Sequence, residues 1–276
     1  MKKNWRNAGI DLRCTIAPRI LSIPGLVDVF EMVEDCESFC NIFRKAGGAR
    51  FVKRKEWLVE HFRKEIFVPS PDDRAACVMA LMCLKRRYPS LYRYLRRTLC
   101  EPVLLQNCSP EIFSDSLLAN CLLQKVVGVG DRHNENIFLS NRRGEIFLTG
   151  VDHILGNYKS KFGIKRERSA FFVTKEMDFF LETHGLKERF LEMFGRAYLV
   201  LRERKHDILA LLFAMRDSGY ADIQTTEDVS GFIEFAFCYG KSDDDAVKII
   251  CDQYDECVRR STRSTIMGNV IHILAH

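Results

Sequence analysis

Several features that define other protein classes are missing from this sequence. No window of the 276 residues approaches eighteen uncharged apolar residues, so we expect no transmembrane helix. The first residues, MKKNWRNAGIDLR, carry positive charge but lead into no apolar stretch, so we expect no secretory signal. Neither G-x-G-x-x-G nor G-x-x-x-x-G-K followed by Ser or Thr occurs, which excludes the two familiar glycine-rich phosphate loops.

Paired metal-ligand cysteines are missing too. The chain has 11 cysteines but no C-x-x-C pair, so the usual zinc spacing is absent. Most of the cysteines lie within apolar runs, and their number is odd. We therefore expect buried, reduced thiols in a cytosolic protein rather than a disulfide framework.

What remains is an ordinary globular composition, with 47% hydrophobic and 29% charged residues and a formal net charge of +5. The basic residues concentrate in two segments, 85–97 and 159–168. In the first segment, tyrosines and leucines interleave at helical spacing, which is typical of an amphipathic helix with a solvated basic face. The alternative, a nucleic-acid-binding surface, rests on charge alone, and we expect no nucleic-acid partner.

The hydrophobic periodicity predicts a mostly helical domain with one small β-hairpin. Short extended pieces are expected over residues 10–33, and a buried helix over 117–127 that ends at Gly128. The hairpin is expected on either side of Asn141–Gly144. Further helices are expected at 52–65, 73–98, 175–184, 186–204, 206–218, 226–239 and 243–261, followed by a last short piece.

The stretch GVGDRHNENIFL (Gly128–Leu139) contains a D-R-H-x-x-N loop that suits phosphoryl transfer. That reaction needs a group beside the attacking hydroxyl, ligands for a metal that bridges the phosphates, and cations for developing charge. Asp131 can accept or orient the hydroxyl proton, and His133 can donate to the transferring phosphate. Asn136 can bind Mg²⁺ through its amide oxygen. The alternative reading is a polar turn without catalytic function.

The loop and the segment HILGNYKSKFGIKRER (His153–Arg168) together resemble the catalytic core of the phosphoinositide 3-kinases. The second segment is nearly that of the class I beta and delta catalytic subunits. Phosphatidylinositol 4-kinases and the related large protein kinases share the D-R-H-x-x-N loop but lack this basic loop. WRNAGIDLR, PGLVDVF and the C-terminal stretch beginning ALLFAMRDSGY also resemble the family, so the likeness spans about residues 4–275.

The resemblance implies the C-terminal lobe of a protein-kinase-like (PI3/PI4-kinase) domain over residues 4–275. It divides this domain into a hinge at about 25–32, a divergent or inserted segment at about 62–112, catalytic and activation loops at 128–174, and C-terminal helices at 175–275. The family's N-lobe, with its phosphate loop and strand lysine, is not found ahead of Trp5. We therefore expect a fragment or a truncated form, with the N-lobe encoded upstream or supplied by another chain.

The resemblance also implies roles for individual residues, with ATP and Mg²⁺ as cofactors. Asp131 and His133 match catalytic residues, and His153 matches the histidine that handles the proton of the lipid hydroxyl. Asn136 matches a magnesium ligand. The nucleotide-binding residues are Asp28, Val29, Phe30 and Phe138, the last beneath the adenine ring. The residues that match the headgroup-binding loop are Lys159, Lys161, Lys165, Arg166 and Arg168.

The chain departs from the family pattern at the metal-binding turn. The family has Asp-Phe-Gly before the histidine, whereas this chain has Gly150, Val151 and Asp152. A carboxylate displaced by two residues along an extended chain moves about 6–7 Å, which is too far for a ligand that must lie about 2.1 Å from magnesium. Asp152 can serve as a ligand only if the local backbone rearranges. In addition, the last stretch, STIMGNVIHILAH, lacks the tryptophan of the family's final helix.

Two functions follow from these observations. The first is a phosphatidylinositol 3-kinase catalytic region that transfers the γ-phosphate of ATP to the 3-hydroxyl of a phosphoinositide such as phosphatidylinositol 4,5-bisphosphate. Such a kinase would be cytoplasmic, recruited to the inner face of the plasma membrane, and able to take a regulatory subunit. The second is a catalytically inactive relative that binds phosphoinositides or a partner, which the Gly150 substitution favours.

Overall fold

The computed structural model describes residues 1–13, 20–23, 27–30, 33, 35–39, 109–130, 132, 136–140, 143–149, 153–156, 160–161, 164–165, 169–215 and 226–275. Within these residues the protein is mostly helical, with a small three-stranded antiparallel sheet and two short hairpins. The predicted mostly helical fold with a small hairpin is therefore confirmed. The helices predicted at 52–65 and 73–98 lie outside the described residues.

Helices α1 and α2 come first along the chain among the described helices. Helix α1 (Lys2–Asn7) is anchored by Trp5, whose indole nitrogen donates to the carbonyl of Ala197 at 2.8 Å. Helix α2 (Pro110–Val127) begins with proline at its first turn, where a missing N–H costs nothing. It ends at Gly128, which adopts the left-handed conformation that stops helices. The predicted end of this helix is confirmed, but the helix begins seven residues before the predicted start at 117.

The sheet consists of β3 (Cys36–Ser38), β4 (Ile137–Ser140) and β5 (Ile146–Leu148), in that order. Strands β4 and β5 form the predicted hairpin, with Leu139 opposite Ile146, and β3 extends it on the other side of β4. Helix α2 replaces a fourth strand. The Ser116 hydroxyl accepts from the amide of Ile146 at 2.9 Å, and the Asn120 amide donates to the Ile146 carbonyl at 2.8 Å. Both backbone groups of Ile146, at the otherwise unpaired edge of β5, are thus satisfied by α2.

Two further hairpins are formed by short strands. Strand β1 (Ile20–Ile23) pairs with β2 (Val27–Phe30), in agreement with the short extended pieces predicted for this region. Strand β6 (Ser160–Lys161) pairs with β7 (Ile164–Lys165), a hairpin that the sequence pattern did not predict.

The C-terminal half is helical, as predicted. It comprises α3 (Lys175–Thr183), α4 (Lys187–Glu203), α5 (Lys205–Ala214), α6 (Thr226–Ala236) and α7 (Asp243–Ala275). The predicted break after residue 261 was wrong, because α7 continues as one helix to Ala275. The sequence from Asp243 onward contains no proline, so nothing in it forces the helix to end there.

The core lies where α2, α4 and α7 pack together. Phe190, Phe194 and Phe171 form a chain of ring contacts with centroid distances of 5.7 and 5.4 Å, and Tyr254 of α7 adds a fourth ring 5.4 Å from Phe190. All four rings are fully buried. Such rings contribute most of the burial energy of a domain this size.

The five cysteines within the described residues are free thiols, and Cys121 and Cys257 are buried. The prediction of buried thiols is confirmed for these two, whereas Cys36, Cys238 and Cys251 are half-buried. Among the helices described, none is long and apolar enough to cross a membrane.

Candidate active site

The ends of the D-R-H-x-x-N loop are hydrogen-bonded to the ends of the G-V-D turn. Gly130, which precedes the loop, donates its amide to the carbonyl of His153 at 2.8 Å. Asn136, at the other end of the loop, accepts from the amide of Thr149 at 2.9 Å and from the Thr149 hydroxyl at 3.4 Å. The Asn136–Thr149 contact continues the register of the β4–β5 hairpin, and the Gly130–His153 bond joins the other ends of the two segments.

A second pair of bonds continues this junction behind the loop. The amide of Leu155 donates to the carbonyl of Val127 at 2.8 Å, and the amide of Gly156 donates to the carbonyl of Gly128 at 3.0 Å. Leu155 is held at a positive φ of 54°, an uncommon conformation for a residue with a branched side chain. Strained backbone of this kind persists where surrounding contacts over-determine it, and it is frequent at functional sites.

Gly128 allows this close approach. A Cβ atom at this position would lie 2.4 Å from the ring of Phe232 and 2.6 Å from the amide nitrogen of Gly156. Its φ of 70° is also one that side chains disfavour. The sequence indicated Gly128 only as a helix end, because nothing in a linear pattern shows that α6 and residue 156 pack against it.

The structure describes two of the predicted catalytic and metal-binding residues. Asn136 is half-buried directly before β4, and His153 is half-buried next to the Gly130 bond. Both have interactions with neighbouring groups. Asp131, His133 and Asp152 lie outside the described residues, so their predicted roles stay predictions.

The predicted nucleotide-binding residues fall on two strands. Asp28, Val29 and Phe30 form most of β2, opposite Ser22, Leu21 and Ile20 of β1. Phe138 lies in β4 and is half-buried. Its ring stacks on that of Phe147 in β5, with centroids 5.7 Å apart and planes inclined by 20°. Phe147 is buried, so Phe138 is the partly accessible ring of this pair, and an accessible aromatic ring is suited to contact with a flat base.

The predicted headgroup-binding loop follows the junction directly. Lys161 and Lys165 lie in the β6–β7 hairpin, where Lys161 is opposite Ile164 and Lys165 is opposite Ser160. The two lysines thus occupy adjacent rungs of this short ladder. Lys159, Arg166 and Arg168 lie outside the described residues.

Sequence reasoning missed the anchors at the far end of this basic loop. The Arg132 guanidinium, within the D-R-H-x-x-N loop itself, donates to the carbonyl of Ser169 at 2.7 Å. The Gln124 side chain of α2 accepts from the amide of Phe172 at 2.7 Å. The sequence offered two signals for these anchors: Gln124 within an apolar helical run, and Arg132 within the D-R-H-x-x-N loop. A polar side chain in a buried segment needs a hydrogen-bond partner.

The donor chemistry of the site fits magnesium at Asn136, whereas the sequence of the metal-binding turn departs from the family pattern. Asn136 supplies a hard amide oxygen, and its carbonyl bond to Thr149 brings it to the start of the metal-binding turn. The residue after Thr149 is Gly150, which has no side chain to act as a ligand, and the carboxylate of the turn belongs to Asp152. Within the described residues there is no group of three or more His, Cys, Asp or Glu side chains that could bind a metal ion.

This combination defines a class of protein. An apolar helix leads into a polar D-R-H-x-x-N loop, that loop is bonded to a turn before a basic segment, and a bundle of helices follows. These are the parts of a kinase-type phosphoryl-transfer domain. Residues 5–225 match the family Phosphatidylinositol 3- and 4-kinase. Because this match covers more than half of the chain, the chain belongs to that family, whose members are phosphatidylinositol kinases.

Two relatives from Dictyostelium discoideum extend the comparison. Phosphatidylinositol 3-kinase 2 is 26% identical over 281 residues, an alignment that covers 100% of this chain and 13% of the relative. Phosphatidylinositol 3-kinase 1 is 25% identical over 287 residues, covering 100% of this chain and 15% of the relative. The chain therefore spans about a seventh of the length of these relatives. Its mostly helical architecture with a small antiparallel sheet fits the C-terminal lobe of a kinase of this family.

Proposed function

We propose that this chain is the C-lobe catalytic region of a phosphatidylinositol 3-kinase, and that it transfers the γ-phosphate of ATP to the 3-hydroxyl of a phosphoinositide as part of a longer or assembled kinase. The observation that carries the proposal is that two hydrogen-bonded junctions join the catalytic loop to the metal-binding turn. The loop that begins at Gly130 and ends at Asn136 is bonded at both ends to the turn that runs from Thr149 to His153.

These two junctions matter because phosphoryl transfer depends more on the positioning of groups than on covalent chemistry. Asp131 orients the attacking hydroxyl, and His133 donates to the transferring phosphate. His153 takes up or passes on the proton of the lipid hydroxyl. The Gly130–His153 bond supports this assignment, because it fixes the backbone of one catalytic residue beside the start of the loop that carries the other two.

The nucleotide and the lipid approach from different elements. The β1–β2 hairpin, with Asp28, Val29 and Phe30, presents backbone groups to the adenine, and Phe138 lies beneath the base. The β6–β7 hairpin and the residues around it present five cations to the inositol phosphates. Two phosphates on a headgroup need several nearby cations to hold the 3-hydroxyl toward the γ-phosphate. The likeness of His153–Arg168 to the class I beta and delta subunits supports phosphatidylinositol 4,5-bisphosphate as the substrate.

Magnesium would be held by Asn136 and, if the turn rearranges, by Asp152. When bound, it would neutralise charge on the phosphates. Gly150 leaves the usual ligand position without an oxygen. The activity of this chain therefore depends on whether the carboxylate of Asp152 replaces the missing one.

The second candidate is a catalytically inactive module that binds phosphoinositides or a regulatory partner. Gly150 favours it, because loss of one group that stabilises transition-state charge costs about 10²–10³ in rate. Titration of the 276-residue chain with Mg²⁺-ATP, and separately with inositol 1,4,5-trisphosphate, distinguishes the candidates. Headgroup binding without nucleotide binding supports the inactive module, and binding of both supports the kinase.

The decisive experiment restores the carboxylate to its usual position. We expect the double variant Gly150→Asp, Asp152→Gly to phosphorylate phosphatidylinositol 4,5-bisphosphate in vesicles about 10²-fold faster than the parent chain. Incorporation of labelled phosphate from ATP, followed by identification of the 3-phosphorylated lipid, measures it.

The control is the double variant with Asp131→Asn added, which keeps the restored ligand but removes the group that orients the hydroxyl. Its rate should return to the background. Equal rates in the parent chain and the double variant would show that the displaced carboxylate is not what limits activity.

We further propose that the protein is cytoplasmic and peripheral to the membrane, recruited to the inner face of the plasma membrane. The basic loop supports this location, because clusters of cations are attracted to anionic lipid headgroups. A regulatory subunit that contacts the remainder of a longer kinase is part of the same proposal.

A further inference from the structure

The segment Ser169–Phe172, which follows the basic loop without a break, is bonded to the rest of the site by side chains from three elements. The first is Arg132 in the D-R-H-x-x-N loop, whose guanidinium donates to the Ser169 carbonyl at 2.7 Å. The Arg132 residue is only 6% exposed. A charged donor this deeply buried makes a stronger bond than a surface one, because water does not compete for the acceptor.

The second anchor comes from helix α2. The Oε1 atom of Gln124 accepts the amide proton of Phe172 at 2.7 Å, and the Gln124 residue is 3% exposed. Gln124 also lies on the last turn of α2, and its carbonyl accepts the Gly128 amide that ends the helix. One residue therefore links the end of the basic loop to the glycine where the catalytic loop begins.

The third anchor comes from helix α7. The thiol of Cys257 donates to the carbonyl of Phe171 at 3.1 Å, and the thiol of Cys121 on α2 lies 3.9 Å from the carbonyl of Phe172. Burial raises the pKa of both thiols. They therefore keep their protons at neutral pH and remain donors.

The other end of the basic loop is fixed as well. Gly156, which begins the span up to Ser169, donates to the Gly128 carbonyl at 3.0 Å. The segment 156–169 is thus attached at both ends. Gly156 binds Gly128 at the end of α2, and Ser169–Phe172 binds Arg132 and Gln124. The residues between these two attachments carry the five cations.

We propose that Gln124, Arg132 and Cys257 are positioning residues that clamp Ser169–Phe172 and hold the end of the basic loop where it can bind an inositol phosphate headgroup. None of the three contacts the substrate in this proposal. They act by removing freedom from the loop before binding, so that less ordering entropy is lost when the phosphates are engaged. The proposal rests on the proposed function, because it assigns the basic loop to the headgroup.

The experiment measures two quantities in the 276-residue chain: the protection of Ser169–Phe172 and the affinity for the headgroup. The Gln124→Leu variant keeps the size and burial of the side chain but removes the acceptor. We expect the amide of Phe172 to exchange hydrogen at least about tenfold faster than in the parent chain, because its bond is lost. Trypsin should cleave after Arg168 correspondingly faster. Inositol 1,4,5-trisphosphate, measured by calorimetry, should bind about fivefold to tenfold more weakly.

The matched control is Tyr198→Phe. Tyr198 also donates a buried side-chain bond to a backbone carbonyl, that of Ala236 at 2.9 Å, but it joins α4 to α6 and does not contact Ser169–Phe172. This variant should leave the exchange of Phe172, the cleavage after Arg168 and the headgroup affinity unchanged. A comparable loss of affinity in both variants would overturn the proposal, since the effect would then come from general stability.

A second pair of variants decides the case if Gln124→Leu does not fold, as judged by its circular dichroism. Cys257→Ser keeps a donor for the Phe171 carbonyl, whereas Cys257→Ala removes it. Rescue of headgroup affinity in the serine variant supports the clamp, and equal affinities in the two variants overturn it. If the parent chain binds no headgroup at all, the proposed function fails, and the exchange of Phe172 alone decides whether the clamp exists.

Discussion

Gly128 is the residue at which the fold of the site is most sensitive to substitution. It ends α2 at a positive φ, and the ring of Phe232 and the backbone of Gly156 fill the space where a side chain would lie. These are two separate penalties. The left-handed conformation costs a side-chain-bearing residue about 1–2 kcal/mol, and crowding of a packed interior costs about 1–3 kcal/mol.

We expect Gly128→Ala to lower the free energy of unfolding by about 3 kcal/mol, measured by urea denaturation. The control is Gly185→Ala. Gly185 has a similar φ of 65°, but no atom lies within 4 Å of its added Cβ, so it should lose only about 1 kcal/mol. Equal losses of unfolding free energy in the two variants would mean that Phe232 and residue 156 shift to accommodate the added methyl group without an energetic penalty.

Lys125 is a second residue with an unusual environment. It follows Gln124 on α2, is 3% exposed, and its ammonium has no hydrogen-bond partner among the described residues. The ring of Phe235 lies 4.6 Å from the nitrogen, a contact that offsets part of the desolvation by about 1 kcal/mol. Burial lowers the pKa of the ammonium, because the charged form is poorly solvated.

We expect Lys125→Met to raise the free energy of unfolding by about 1 kcal/mol at pH 7, because an unsatisfied buried donor is removed. The sign of the pH dependence follows from the lowered pKa. The unfolded chain binds the proton more tightly, so the penalty in the parent chain shrinks as pH rises toward the usual lysine value. The advantage of the variant should therefore decrease between pH 7 and pH 10, measured by denaturant unfolding.

Lys248→Met is the control for this prediction. Lys248 is exposed on α7, and its replacement should change the free energy of unfolding by less than about 0.5 kcal/mol at either pH. If Lys125→Met destabilises the protein at pH 7, then the ammonium of Lys125 has a partner that compensates for its burial.

At the scale of elements, α3 and α7 are joined by a buried hydrogen bond. The Tyr254 hydroxyl of α7 donates to Asp178 of α3 at 2.7 Å, and Lys187 at the start of α4 contacts the same carboxylate at 3.0 Å. One carboxylate thus connects three helices. Burial raises the pKa of Tyr254, and its bond to Asp178 raises it further.

The raised pKa of Tyr254 predicts a loss of stability in alkaline solution. Above about pH 10 the tyrosine ionises in the unfolded chain but stays protonated in the fold. The folded state then binds more protons, so stability falls with pH by up to about 1.4 kcal/mol per unit. We expect this contribution to be absent in Tyr254→Phe, so the difference between parent and variant should narrow from pH 9 to pH 11 in urea titrations.

A difference that stays constant over that range would contradict the prediction, because it would mean that Tyr254 titrates alike in both states. Below pH 9 the variant should be less stable than the parent by about 1–2 kcal/mol, the effect of one buried bond to a charged group. The comparison of parent and variant cancels the other titrating groups, among them Tyr198, whose pKa is also raised by burial.

Helix α2 is the element that organises the site. Its Ser116 and Asn120 bind strand β5, and its Gln124 binds Phe172. Its last residue, Val127, accepts from Leu155, and the capping Gly128 accepts from Gly156. The apolar run of the sequence predicted this helix and its end. The partners of its polar residues could not be predicted, because a helical pattern shows which face is buried but not which backbone groups meet that face.

At the scale of the whole molecule, the family and the general architecture could be predicted from the sequence. The helical periodicity after Lys175 and the hairpin around Gly144 correspond to elements of the fold. Both are local signals, governed by side-chain spacing and by turn residues. The edge strand β3 and the β6–β7 hairpin were missed, because two- and three-residue strands carry too few residues to show a period.

The chain spans about a seventh of the length of its two Dictyostelium relatives, and the proposal assigns its chemistry to a longer or assembled kinase. In the proposed function, the cations of residues 159–168 bind the headgroup and the loop at 131–136 supplies the catalytic groups.

The sequence by itself determined which residue types are available for chemistry: Asp131, His133, Asn136 and His153, a basic loop, and Gly150 where a carboxylate is usual. These follow from motif and spacing. Only the tertiary structure decided that Gly130 meets His153 and that Asn136 meets Thr149. It alone placed Arg132 and Gln124 at the end of the basic loop. The physical reason is that buried backbone groups must find partners, and those partners lie tens of residues away along the chain.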